Sequence, residues 1–99
     1  MTYYKQIFIE RGYNMLEFSY KITDDLGIHA RPAGIIVKTA KEFESEITMV
    51  KEKKEANMKM IFSLMGLGVK KDDEVKVIIN GSDEEVAKNK LESLIKEIL

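Results

Sequence analysis

Residues 16–33 read Leu16-Glu17-Phe18-Ser19-Tyr20-Lys21-Ile22-Thr23-Asp24-Asp25-Leu26-Gly27-Ile28-His29-Ala30-Arg31-Pro32-Ala33, and a change of hydrophobic period within them decides the fold. Up to Thr23 the chain alternates, with Leu16, Phe18, Tyr20 and Ile22 on one side and Glu17, Ser19, Lys21 and Thr23 on the other, which is the pattern of a strand with one wet face. Asp24-Asp25-Leu26-Gly27 breaks the alternation as a loop. From Pro32 the period lengthens to Ala33, Ile36, Val37, Ala40 and Phe43, the stripe of an amphipathic helix that begins between His29 and Pro32. Proline suits a first helical turn, because the amide proton it lacks would have no intrahelical acceptor there.

The same two periods sort the rest of the chain. Glu46 to Lys51 is extended, Lys51-Glu52-Lys53-Lys54-Glu55 is a solvated turn, and a short return through Met58 completes a hairpin. Met60 to Leu67 carries Ile61, Leu64 and Met65 at helical spacing and stops at Gly66 and Gly68, a helix of about two turns. Val75, Val77 and Ile79 form a last strand. Asn80-Gly81 turns the chain, Ser82 or Asp83 caps a final helix, and Ala87, Leu91, Leu94, Ile95 and Ile98 trace one face of it. The order β-α-β-β-α-β-α, with antiparallel strands and one-sided helices, implies a two-layer α+β fold whose helices cover one face of the sheet.

The 99 residues suffice for one domain, at 44% hydrophobic and 33% charged. The absence of cysteine excludes disulfides, thiolate metal sites and cysteine nucleophiles, and it fits a cytoplasmic protein. Sixteen basic against seventeen acidic residues leave a net charge of −1, which offers nothing to a nucleic-acid backbone. Apolar runs are only a few residues long, against the roughly 20 of a membrane-spanning helix, so no membrane insertion is expected. Gly66 and Gly68 lack the lysine and hydroxyl residue of a phosphate loop, so no nucleotide site is expected. Residues 1–14 fit least well. They read as a leader or N-terminal extension, dispensable or disordered, before a domain spanning 15–99. Met15 is a candidate natural start, since Glu10-Arg11-Gly12 can be encoded by a purine-rich tract resembling a bacterial ribosome-binding site.

His29 is the sole histidine, so any imidazole chemistry uses it. At a helix start it sits beside unpaired first-turn amides and the positive end of the helix dipole, an arrangement that holds anions. Arg31 adds charge-assisted hydrogen bonds suited to phosphate-type oxygens. The combination suits a histidine that accepts a phosphoryl group and gives it up again. The residues alone also allow a histidine that only caps the helix, or a surface histidine with no role.

Leu26-Gly27-Ile28-His29-Ala30-Arg31-Pro32-Ala33 resembles the active-site signature of the histidine-containing phosphocarrier (HPr) family of the bacterial phosphoenolpyruvate-dependent sugar phosphotransferase system. Val37-Lys38-Thr39-Ala40 is similar to the family's first helix, and Asn57 to Ile61 with Leu64 to Gly68 resembles its second motif region. The resemblance implies an open-faced β-sandwich, with a four-stranded antiparallel sheet and three helices on one face. It implies that His29 takes phosphate on Nδ1 from phosphorylated enzyme I and passes it to enzyme IIA domains, with no cofactor or metal. Arg31 would steady the phosphoryl group, Pro32 would set the helix start, and the amides of Ala30 and Arg31 would hold oxygens. A monomer is expected. Ile61, Phe62 and Met65, with Ile35 and Lys38, would form the docking patch; the short helix indeed carries more apolar residues than one face can bury. Where many Gram-positive members have a regulatory serine, this chain has Met60, so kinase control through that position is expected to be absent. The alternative reading is a regulatory paralogue acting through docking.

Overall fold

The computed structural model describes residues 15–99, so the reading of residues 1–14 as a leader lies outside the described residues. The elements are β1 (Leu16–Lys21), α1 (Ala30–Ala40), β2 (Glu46–Lys51), β3 (Lys54–Asn57), α2 (Ile61–Gly66), β4 (Glu74–Asn80) and α3 (Glu84–Ile98), in the expected order. The four strands form one antiparallel sheet, ordered β1-β4-β2-β3. The last strand of the chain therefore lies inside the sheet.

Register explains how the alternation becomes a core. Phe18 faces Val77, Val77 faces Met49 and Met49 faces Ala56, so four buried side chains make one row across the sheet. Ile79 and Ile47 are paired in a second row. Against these rows pack Ala33, Ile36, Val37 and Ala40 of α1, Leu64 of α2, and Ala87, Leu91 and Ile95 of α3, all in a single cluster. All three helices thus cover the same face. The opposite face carries Glu17, Ser19, Thr48, Glu74 and Lys76, with Ile78 between Glu17 and Thr48. Ile78 is buried although its side chain is directed away from the helices by the alternation.

Two local expectations are corrected. The ladder of β1 stops at Lys21 rather than Thr23, because Ile22 exchanges backbone bonds with Asp72 and Asp73, while Thr23 turns to the main-chain oxygen of Leu99. Asp83 is the residue preceding α3, but its side chain does not cap that helix. Its carboxylate instead accepts hydrogen bonds from the Glu44 and Ser45 amides and the Ser45 hydroxyl. The neighbouring Glu84 carboxylate accepts from the Gly81 amide. Gly81 has no room for a side chain, since a Cβ would lie 2.5 Å from the Ser45 Cα. The β4–α3 turn is thereby fastened to the loop between α1 and β2.

Candidate active site

The loop from β1 into α1 is held at several backbone positions before it reaches the histidine. The Thr23 and Asp24 amides both donate to the Leu99 main-chain oxygen, at 2.6 and 2.7 Å. The Leu26 amide donates to Asp24 Oδ2 at 3.0 Å, and the Gly27 amide to the Asp24 carbonyl at 3.1 Å. Gly27 then adopts φ +65°, where a Cβ would fall 2.3 Å from the Val69 carbonyl oxygen. Only glycine tolerates that close approach together with left-handed backbone. Ile28, buried in the core, fixes the next step by donating its amide to the same Val69 oxygen at 3.1 Å.

His29 comes next as the N-cap of α1, with extended backbone (φ −108°, ψ −174°). Its carbonyl accepts the first helical bond, from the Ala33 amide at 3.0 Å. Its imidazole makes no capping bond, so a role confined to side-chain capping is excluded. The ring is 39% exposed, and Nε2 lies 3.9 Å from Asp24 Oδ2. Ala30 and Arg31 supply the first two amides of the helix, which have no intrahelical acceptor, and Pro32 supplies none. No acidic residue occupies this first turn to compete for those donors. Arg31 is exposed and forms no ion pair with any described residue.

His29, Arg31, Pro32 and Ile35 line one shallow cleft of about 390 Å³, together with Asp24 and Ile98. Of these six, His29, Arg31, Pro32 and Ile35 are expected from the sequence, and Asp24 and Ile98 are not. In the sequence Asp24 reads only as loop, and Ile98 only as part of a core stripe. Of the other expected docking residues, Phe62 is 86% exposed and Lys38 is exposed, whereas Ile61 and Met65 are half-buried against the core. Met60 and Leu26 add exposed apolar surface, the latter unforeseen. Leu26 falls between two acidic residues and a glycine, a context with no apolar pattern to read. Lys38, Ile61, Phe62 and Met65 do not line the cleft.

Comparison with known proteins identifies relatives of the described domain. The family model described as the phosphorylation site of the HPr component of the phosphotransferase system matches residues 16–97. The phosphocarrier protein HPr of Mycoplasma capricolum is 38% identical over 73 residues, which cover 74% of this chain and 82% of that protein. A solved mycoplasmal histidine-containing phosphocarrier superposes with a TM-score of 0.81 at 33% identity, covering 83% of this chain and 93% of its own. HPr from Thermoanaerobacter tengcongensis superposes with a TM-score of 0.79 at 40% identity, covering 83% and 92%. With this fold, a histidine at a helix start and a family match across nearly all the described residues, the chain belongs to the HPr family of the phosphotransferase system.

Proposed function

We propose that this protein carries phosphoryl groups on His29, receiving them from phosphorylated enzyme I and delivering them to enzyme IIA domains of sugar uptake. The observation that carries this reading is an imidazole at a helix start, free of any capping bond, beside two amides without intrahelical acceptors and an exposed guanidinium. In the transfer, the Nδ1 lone pair attacks phosphorus while the donor's bond to phosphorus breaks and its electron pair returns to the donor. Nε2 keeps its proton, so the ring becomes a phosphorylated imidazolium. The Ala30 and Arg31 amides and the Arg31 guanidinium meet the phosphoryl oxygens, and Pro32 keeps the helix start in place. Delivery reverses these bond changes on the acceptor.

Phe62, Ile35 and Lys38 offer the exposed part of the docking surface, with Ile61 and Met65 as its half-buried floor. Met60, 56% exposed, extends the apolar area and has no hydroxyl to phosphorylate, so regulation by a kinase at this position is lost. The protein works as a cytoplasmic monomer, in the domain 15–99. No helix among the described residues is long and apolar enough to cross a membrane.

Incubation with enzyme I and labelled phosphoenolpyruvate tests the reading. One acid-labile, base-stable phosphoryl group is expected per chain, absent in His29→Ala and transferable to an enzyme IIA domain. Failure of His29 to label would overturn the carrier reading. Labelling that no IIA domain can discharge would favour the regulatory paralogue instead.

A further inference from the structure

Asp24 is the acidic side chain that lines the cleft beside the imidazole, and its placement is over-determined by the backbone. Its amide is tied to Leu99, its carbonyl accepts from Gly27, and Oδ2 accepts from the Leu26 amide at 3.0 Å. That same Oδ2 is the atom 3.9 Å from His29 Nε2. Both groups are about one-third exposed or slightly more, so the carboxylate stands at the rim of the cleft with water access. From this geometry we infer that Asp24 is a positioning residue for His29. Its carboxylate holds the proton of the neutral ring on Nε2 and leaves the Nδ1 lone pair for phosphorus.

The chemistry depends on which nitrogen faces the acid. A neutral imidazole carries one proton, and a carboxylate beside one nitrogen favours the tautomer protonated there. At 3.9 Å the pair is too long for a direct hydrogen bond, so the coupling is Coulombic or passes through one water. The nitrogen so protonated is not a nucleophile; the other is. When Nδ1 becomes bonded to phosphorus the ring turns cationic, and the fixed carboxylate offsets that charge at Nε2. Arg31, the other charged group lining the cleft, serves the phosphoryl oxygens. The short Asx turn to Leu26 lets the acid act without side-chain reorganisation.

This assignment rests on Nδ1 being the acceptor, and its test separates the two claims. Ring ¹⁵N resonances of the unphosphorylated full chain read the tautomer directly, with no partner protein present. The wild-type ring is expected to be protonated mainly on Nε2, and Asp24→Ala is expected to lower the ratio of the Nε2-protonated to the Nδ1-protonated form by roughly two- to five-fold, since an exposed carboxylate meets the neutral ring only through its N–H dipole and gains no more than an exposed ion pair would. Asp24→Asn keeps an acceptor for the Leu26 amide but loses the charge. It should retain the fold and slow phosphoryl acceptance from enzyme I by a similar factor, with Asp24→Glu restoring part of the rate. An unchanged tautomer ratio in Asp24→Ala, or an unchanged rate in Asp24→Asn, would overturn the role of Asp24. Absence of labelling in the wild type would instead overturn the carrier reading, leaving the tautomer measurement to decide on Asp24.

Discussion

Gly27 concentrates more of the site's geometry than its size suggests. Its φ of +65° and the 2.3 Å approach of a would-be Cβ to the Val69 oxygen both exclude a side chain. Gly27→Ala is expected to cost about 1–3 kcal/mol from backbone strain alone, and more from the clash with rigid backbone. Urea unfolding measures this, and a loss below about half a kcal/mol would show that the loop readjusts freely. The same variant should misplace His29, two residues on. At this scale the sequence is legible where chemistry is local. His29, Arg31 and Pro32 stand within four consecutive positions of the chain, so a reader of residues finds them together. Asp24 escapes such a reading because its importance depends on a loop folding back on itself, and on Leu99 holding it there across the whole length of the domain.

Among the elements, α2 shows most clearly how a pattern can be read correctly yet incompletely. Its six residues place Leu64 in the core, while Phe62 is left 86% exposed. Because Phe62 adds little to packing, Phe62→Ala should change unfolding stability by less than about 0.5 kcal/mol. Phosphoryl transfer from enzyme I should nevertheless weaken, seen as a higher KM for the variant. A variant with unaltered KM would remove Phe62 from the docking surface. The apolar excess of α2 is visible from its composition, but not which side chains surface. Ile61 and Met65 half-bury because α2 packs against both α1 and β3. Strand ends are likewise hard to place. Ile22 continues the alternation, yet its partners belong to the 72–73 loop rather than to a neighbouring strand.

Across the whole molecule, carboxylates whose charged forms the fold favours fasten distant segments, in Asp73 and Asp83, and brace one helix from within, in Glu92. Hydrogen bonds from the Lys70 amide and then from Lys51 hold Asp73 below the usual carboxylate range. Burial pushes Asp83 up, but the Ser45 hydroxyl and the Glu44 and Ser45 amides together outweigh it and bring it down. Glu92 is lowered chiefly by its hydrogen bond from Lys88. Each group titrates lower in the folded than in the unfolded chain, so each contributes stability above its unfolded value of about 4 and loses it as pH falls through the folded value. Denaturant midpoints should therefore hold between about pH 7 and 5 and decline below about pH 4. Asp83→Asn should start lower and decline less steeply; a decline as steep as the wild type's would show that the Asp83 charge is not part of the link. The fold class and the single core are legible from alternation and helical stripes, since these obey burial alone. The fastening of residues 44–45 to 83 is not, because nothing local pairs positions so far apart.

The shallow cleft holds one imidazole, and on the proposed carrier reading that sets a limit on traffic. Two large partners cannot reach the same half-exposed imidazole together, so loading and unloading compete for one berth. Throughput then depends on how fast each partner lets go, and any substitution that makes one embrace more durable lengthens the wait for the other. A carrier of this design gains nothing from gripping tightly.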